Sequence, residues 1–149
     1  MRKILIVAVF AAFAIWYLKR RPAEPVTVTG TSAAPSPGPG CLLESENANR
    51  LLADTSRLLA SMPASESAFH DAENRTTQAI ARAEAACTGG STDAERAGLQ
   101  DALEALSLIR TTLSEASGAA RGGGGFQGAI RQEQIDSRLS SARSKFGLR

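Results

Sequence analysis

The chain has 149 residues, 43% hydrophobic, 21% charged and 5% aromatic, with a net charge of +2. That length holds one domain beside any targeting segment. One histidine and two cysteines leave most catalytic and metal-dependent chemistries short of parts, so neither an enzyme nor a cofactor is expected. The charge is uneven: residues 1–21 carry five basic and no acidic groups, residues 41–118 six against twelve, and residues 119–149 six against two.

Residues 4–18, ILIVAVFAAFAIWYL, are uncharged and lie between Met1-Arg2-Lys3 and Lys19-Arg20-Arg21. As a helix this run rises about 22 Å, short of a hydrocarbon core of roughly 30 Å. Flanking Arg and Lys can reach outward, and Trp16 and Tyr17 stand where an interfacial aromatic belt would lie. The expectation is an uncleaved signal-anchor over residues 1–21, a single-pass transmembrane helix. A cleaved signal peptide with its site at Ala12-Phe13-Ala14 is the rival, and a buried soluble helix the third reading. The basic flanks are nearly equal, so the positive-inside rule does not orient the segment.

Residues 22–40 hold five of the six prolines and read as a Pro/Gly/Ser/Thr-rich linker. Such a composition buries no core and favours extended, polyproline-like chain.

From Cys41 the apolar period becomes helical through Ala48, Leu52, Thr55, Leu59 and Met62. Pro63 breaks the pattern, since proline suits only a first turn. A second stripe follows through Phe69, Ala72, Thr76, Ala79, Ile80, Ala83 and Cys87, ending at Gly89-Gly90. Cys41 and Cys87 lie almost symmetrically about Pro63. In an antiparallel hairpin over 41–88 both fall on the seam at its open end, where alanines let backbones approach as a disulfide requires. A Cys41–Cys87 bridge implies an oxidising compartment; two buried free thiols are the alternative.

Thr92 with Glu95 three residues on is a capping-box pattern. Leu99, Ala102, Leu106, Ile109, Leu113 and Ala116 then repeat at threes and fours, a coiled-coil-like seam in a third helix over 92–117. Leu103 and Leu108 widen it, and Gly118 is the expected stop. The stripe reads first as core; as the alternative, Leu99, Leu103, Leu106, Ile109 and Leu113 form a partner face.

Residues 119–128, with Gly122–Gly125, read as a hinge. Over 129–149 a basic amphipathic helix is expected, with Ile130, Ile135, Leu139, Ala142 and Phe146 on one side. Arg131, Arg138, Arg143 and Lys145 either meet an anionic surface or dock the helix back onto the acidic bundle.

His70 has Glu66, Glu73 and Asn74 as helical neighbours, a spacing too common to signal a metal. Asn74-Arg75-Thr76 is a glycosylation triplet placed mid-helix. No nucleophile elbow, phosphate loop, dinucleotide fingerprint or Cys-x-x-Cys occurs. An acidic folded part argues against nucleic acid.

The expected fold class is therefore all-α: membrane helix, linker, and a small helical bundle over 41–118 with a C-terminal amphipathic helix. The expected role is a membrane-anchored, periplasmic scaffold or adaptor at the inner or plasma membrane, binding an envelope protein partner or forming a homo-oligomer. In layout, an anchor at one end and a basic helix at the other is similar to inner-membrane lysis subunits of phages, which implies membrane bridging as the alternative. A cytoplasm-facing, membrane-tethered adaptor is the second alternative.

Overall fold

The computed structural model describes residues 37–148. It holds four helices, α1 (Pro37–Leu59), α2 (Glu66–Ala86), α3 (Asp93–Ala120) and α4 (Gly128–Lys145), and no strand among the described residues. The expected anchor over 1–21 and the linker up to residue 36 lie outside the described residues. No described helix is long and apolar enough to cross a membrane.

The linker was expected to run to residue 40, but α1 already begins at Pro37. Pro37 and Pro39 occupy its first turn, where a backbone N–H has no intrahelical acceptor to lose. Alternating Pro and Gly look like linker in sequence, yet Gly38 is buried.

α1 and α2 form the antiparallel hairpin. After Leu59 the chain turns through residues 60–65, with a cis Met62–Pro63 bond, and Ser65 Oγ donates to the Leu58 carbonyl at 2.6 Å. Cys41, Ser45, Ala48, Leu52 and Thr55 bury one face of α1, and Phe69, Ala72, Thr76, Ala79, Ile80 and Ala83 that of α2. Midway, the buried Thr55 and Thr76 hydroxyls stand 3.1 Å apart, while each also lies within 2.9 Å of the carbonyl four residues back on its own helix. Two protons thus serve three contacts, and burial costs neither hydroxyl its partner.

The capping box forms as read: Thr92 Oγ1 accepts from Glu95 N, and Glu95 Oε2 accepts from Thr92 N, both at 3.1 Å. The Ser91 hydroxyl and backbone N–H also donate to that carboxylate and, with Thr92, hold its pKa below the usual glutamate value against a small opposing desolvation. At its other end α3 runs past Gly118. A Cβ at Gly118 would meet nothing within 4 Å, and helix interiors tolerate such a glycine at about 1 kcal/mol. The helix stops instead at Gly122, whose φ of +86° is left-handed. Gly122 N donates to Ala119 O at 3.0 Å and Gly123 N to Gly118 O at 2.9 Å, the paired bonds of a Schellman motif. The expected hinge over 119–128 is therefore shorter, because α3 takes its first residues.

α4 packs against α1 and α3, while no Cα pair of α2 and α4 lies within 8 Å. Its end repeats the α3 stop, with Gly147 at φ +68° and Leu148 N donating to Arg143 O at 3.1 Å. The core shared by all four helices is rich in alanine, and Leu52, Phe69, Ile80, Leu106, Ile109 and Ile135 are its largest fully buried side chains.

Phe146, at the end of α4, reaches across two glycines. A Cβ on Gly38 would stand 2.5 Å from its ring, and one on Gly98 of α3 would stand 2.6 Å from it. Neither helix admits a side chain there without moving the ring. Gly98→Ala should gain about 1 kcal/mol in helix propensity but lose about 1–3 kcal/mol by overpacking, a net destabilisation. In a Phe146→Ala background the same change should stabilise by about 0.5–1 kcal/mol. Urea denaturation of the four proteins of this cycle reads the change of sign. Stabilisation by Gly98→Ala in both backgrounds would refute the clamp.

Candidate functional site

Cys41 and Cys87 are joined, with Cα atoms 4.5 Å apart across 46 positions of sequence. Both are buried, at 0% and 5% exposure. Ser45 Oγ, which donates to the Cys41 carbonyl at 2.8 Å, lies 3.8 Å from Cys87 Sγ. Closely spaced backbones along a seam of small residues bring the two Cα atoms within the separation a disulfide spans.

The proposed partner face on α3 does not lie open. Leu99, Leu106, Ile109 and Leu113 are buried at 7% exposure or less, and only Leu103, at 42%, faces out. An i, i+3, i+4 stripe points one way, and here α1, α2 and α4 occupy that direction. Leu103 sits at the stripe's edge. With Arg96, Gln100, Glu104 and Ser107 it lines a shallow groove that also reaches Leu99, Cys87 and Gly89.

The four cations of α4 are turned onto the acids of the bundle. Arg131 meets Glu115 at 2.5 Å; Arg138 meets Glu104 at 3.1 Å and Asp101 at 3.7 Å; Lys145 meets Asp101 at 2.6 Å; and Arg143 pairs with Glu46 of α1. Arg131, Arg138 and Lys145 recur at intervals of seven along one edge of α4. They descend an edge of antiparallel α3 from Glu115 through Glu104 to Asp101. Beside Arg143, Asn49 Nδ2 donates to Asp136 Oδ1 and Gln132 Nε2 to Asn49 Oδ1, both at 2.8 Å. Ile130, expected on the inner side, is 61% exposed, because it lies about half a turn from Ile135, Leu139 and Ala142.

Sequence reasoning missed Asp101 as the hub of this contact. Its side chain is 8% exposed, and its Oδ2 accepts from Ser141 Oγ at 2.5 Å as well as from Lys145 Nζ. Burial pushes its pKa up, but the Lys145 and Ser141 hydrogen bonds and the charges of Lys145 and Arg138 outweigh that, and the net direction is down. The Arg131–Glu115 pair is less complete: Glu115 Oε2 and Arg131 Nε are buried with no partner among the described residues.

On the opposite side, Ser117 Oγ of α3 donates to Glu73 Oε1 of α2, and His70 Nδ1 lies 3.2 Å from Glu73 Oε2. The Ser117 bond is the largest influence lowering the Glu73 pKa; burial opposes it, and the His70 contact and the Arg121 charge add to the fall. The carboxylate separates hydroxyl from imidazole, so this trio ties two helices and sets no imidazole against the serine hydroxyl. Among the described residues no three His, Cys, Asp or Glu side chains converge as a metal site requires. In comparisons with known proteins, the chain matches no family model, no curated protein and no solved structure.

Proposed function

We propose that this chain is a membrane-tethered helical binding module whose body works outside the cytoplasm, as a scaffold or adaptor for another envelope protein. The observation that carries the reading is the buried Cys41–Cys87 bridge, since structural disulfides belong to oxidising compartments. The uncharged run over residues 4–18, bounded by basic residues, supports the anchor, and the proline-rich stretch after it supports a spacer that sets the reach of the body. On the body, the groove around Leu103 on α3 is the proposed partner contact. Its exposed leucine supplies the apolar anchor, and Arg96, Gln100 and Glu104 supply a polar rim.

The test is the thiol state of protein isolated from its own cell, alkylated before and after reduction and weighed intact. The expected result is no alkylation of Cys41 or Cys87 until reduction, with the first residues still attached. Two free thiols would overturn the orientation and make the cytoplasm-facing adaptor the better reading.

A further inference from the structure

We propose that α4 is a releasable arm, and that the face it docks on the bundle also fits an anionic phospholipid surface. This rests on the reading that the chain is tethered at a membrane. The inner stripe of α4 is Ile135, Leu139 and Ala142, all buried, with half-buried Phe146 beyond them. Arg131, Arg138 and Lys145 flank that stripe on one side and Arg143 with Asp136 on the other, while Ile130, Glu133, Ser137 and Ser144 take the outer face. An apolar stripe edged by cations is a face that an anionic lipid surface can also receive.

The docked and lipid-bound states exclude each other, because one stripe cannot pack on α1 and α3 and enter a membrane together. The same cations neutralise either Glu46, Asp101, Glu104 and Glu115 or lipid phosphates. Arg138 and Arg143 keep 50% and 46% side-chain exposure in their pairs with Glu104 and Glu46, and ion pairs so open are weak and screened; the Lys145 pair, on the buried Asp101, is the firmer one. A dense anionic surface attracts each Lys or Arg brought to it. Release takes Ile135, Leu139 and Ala142 out of the shared core, so the lipid interface has to receive the same stripe. The covalent frame permits it: the segment joining α4 to α3 includes Gly124 and Gly125, where a Cβ would meet nothing within 4 Å, and the disulfide-closed hairpin does not include α4.

The experiment uses the full chain with photo-leucine, an isosteric diazirine analogue, in place of leucine, and reads adducts from position 139. With phosphatidylcholine vesicles, position 139 should cross-link to α1 or α3. With vesicles one-third phosphatidylglycerol at low salt, lipid adducts at 139 should rise by about tenfold, and high salt should reverse the rise. Asp101→Asn, which weakens the acceptor of Lys145 and Ser141, should raise lipid adducts further with helicity unchanged. Cross-links from 139 confined to α1 and α3 on both lipids, or reaching a second copy of the chain, would overturn the proposal. Flotation with the neutral vesicles reads the tether separately: a chain that fails to float there but yields lipid adducts at 139 on anionic vesicles sinks the anchor and keeps the arm.

Discussion

Replacing Cys41 and Cys87 together by alanine should destabilise the bundle by about 4 kcal/mol, because the bridge closes an interval of 46 residues whose freedom in the unfolded chain is restored. Domains of this size have about 5–15 kcal/mol in total, so a large share of the margin, from roughly a quarter upward, rests on one bond. Thermal unfolding should shift down by on the order of 15–20 °C, and reduced wild-type protein should follow the variant rather than the oxidised form. Alanine is the right replacement here, since serine would bury a second hydroxyl beside Ser45. A loss below about 1 kcal/mol would mean that helix packing alone holds the hairpin and that the chain-entropy account fails here.

The size of that effect follows from the seam. Ala48, Ala79, Ala83, Ala102, Ala105 and Ala116 are all fully buried, and alanine contributes far less apolar area than leucine or phenylalanine. Such a seam brings backbones close enough for a disulfide and leaves the domain in need of one. The dependence on oxidation also bears on place. A body this reliant on its bridge has reason to fold where thiols are oxidised, which is the proposed extracytoplasmic side.

The hairpin and its bridge could be read in advance because Pro63 marks the turn and the cysteines sit nearly equidistant from it, a relation internal to the sequence. The capping box at Thr92 and Glu95 is similarly local. Features that depend on a distant neighbour could not be read. Gly38 and Gly98 have side-chain-free positions because of Phe146, which lies 108 and 48 residues further on, and nothing near them in sequence names that ring. Gly118 looked like a stop because glycine often ends helices; the left-handed φ that makes the stop belongs to Gly122. The interval of seven linking Arg131, Arg138 and Lys145 was visible, but its acceptors on α3 emerge only when α4 lies antiparallel against that helix. The α3 stripe had the periodicity of a core and of an interface alike, and three packed helices, not the stripe itself, decide for core.

Leu106→Asp should abolish the folded bundle: truncating a buried leucine costs about 2–5 kcal/mol, and an unpaired carboxylate at a site 1% exposed adds a further desolvation penalty. Far-UV circular dichroism at 25 °C should show most of the helicity lost. Leu103→Asp, three residues earlier on the same helix, should change stability by less than about 1 kcal/mol, since Leu103 is 42% exposed and its carboxylate would stay in water. The contrast separates two ideas that one substitution confounds. Loss of association in Leu106→Asp says nothing about an interface, because the protein that would associate has unfolded. Loss in Leu103→Asp, with helicity and melting preserved, isolates the groove between Arg96 and Ser107 as the contact. If instead Leu106→Asp keeps its helicity and Leu103→Asp unfolds, the helix is rotated from the orientation described here, and the face assigned to the core is the one that meets a partner.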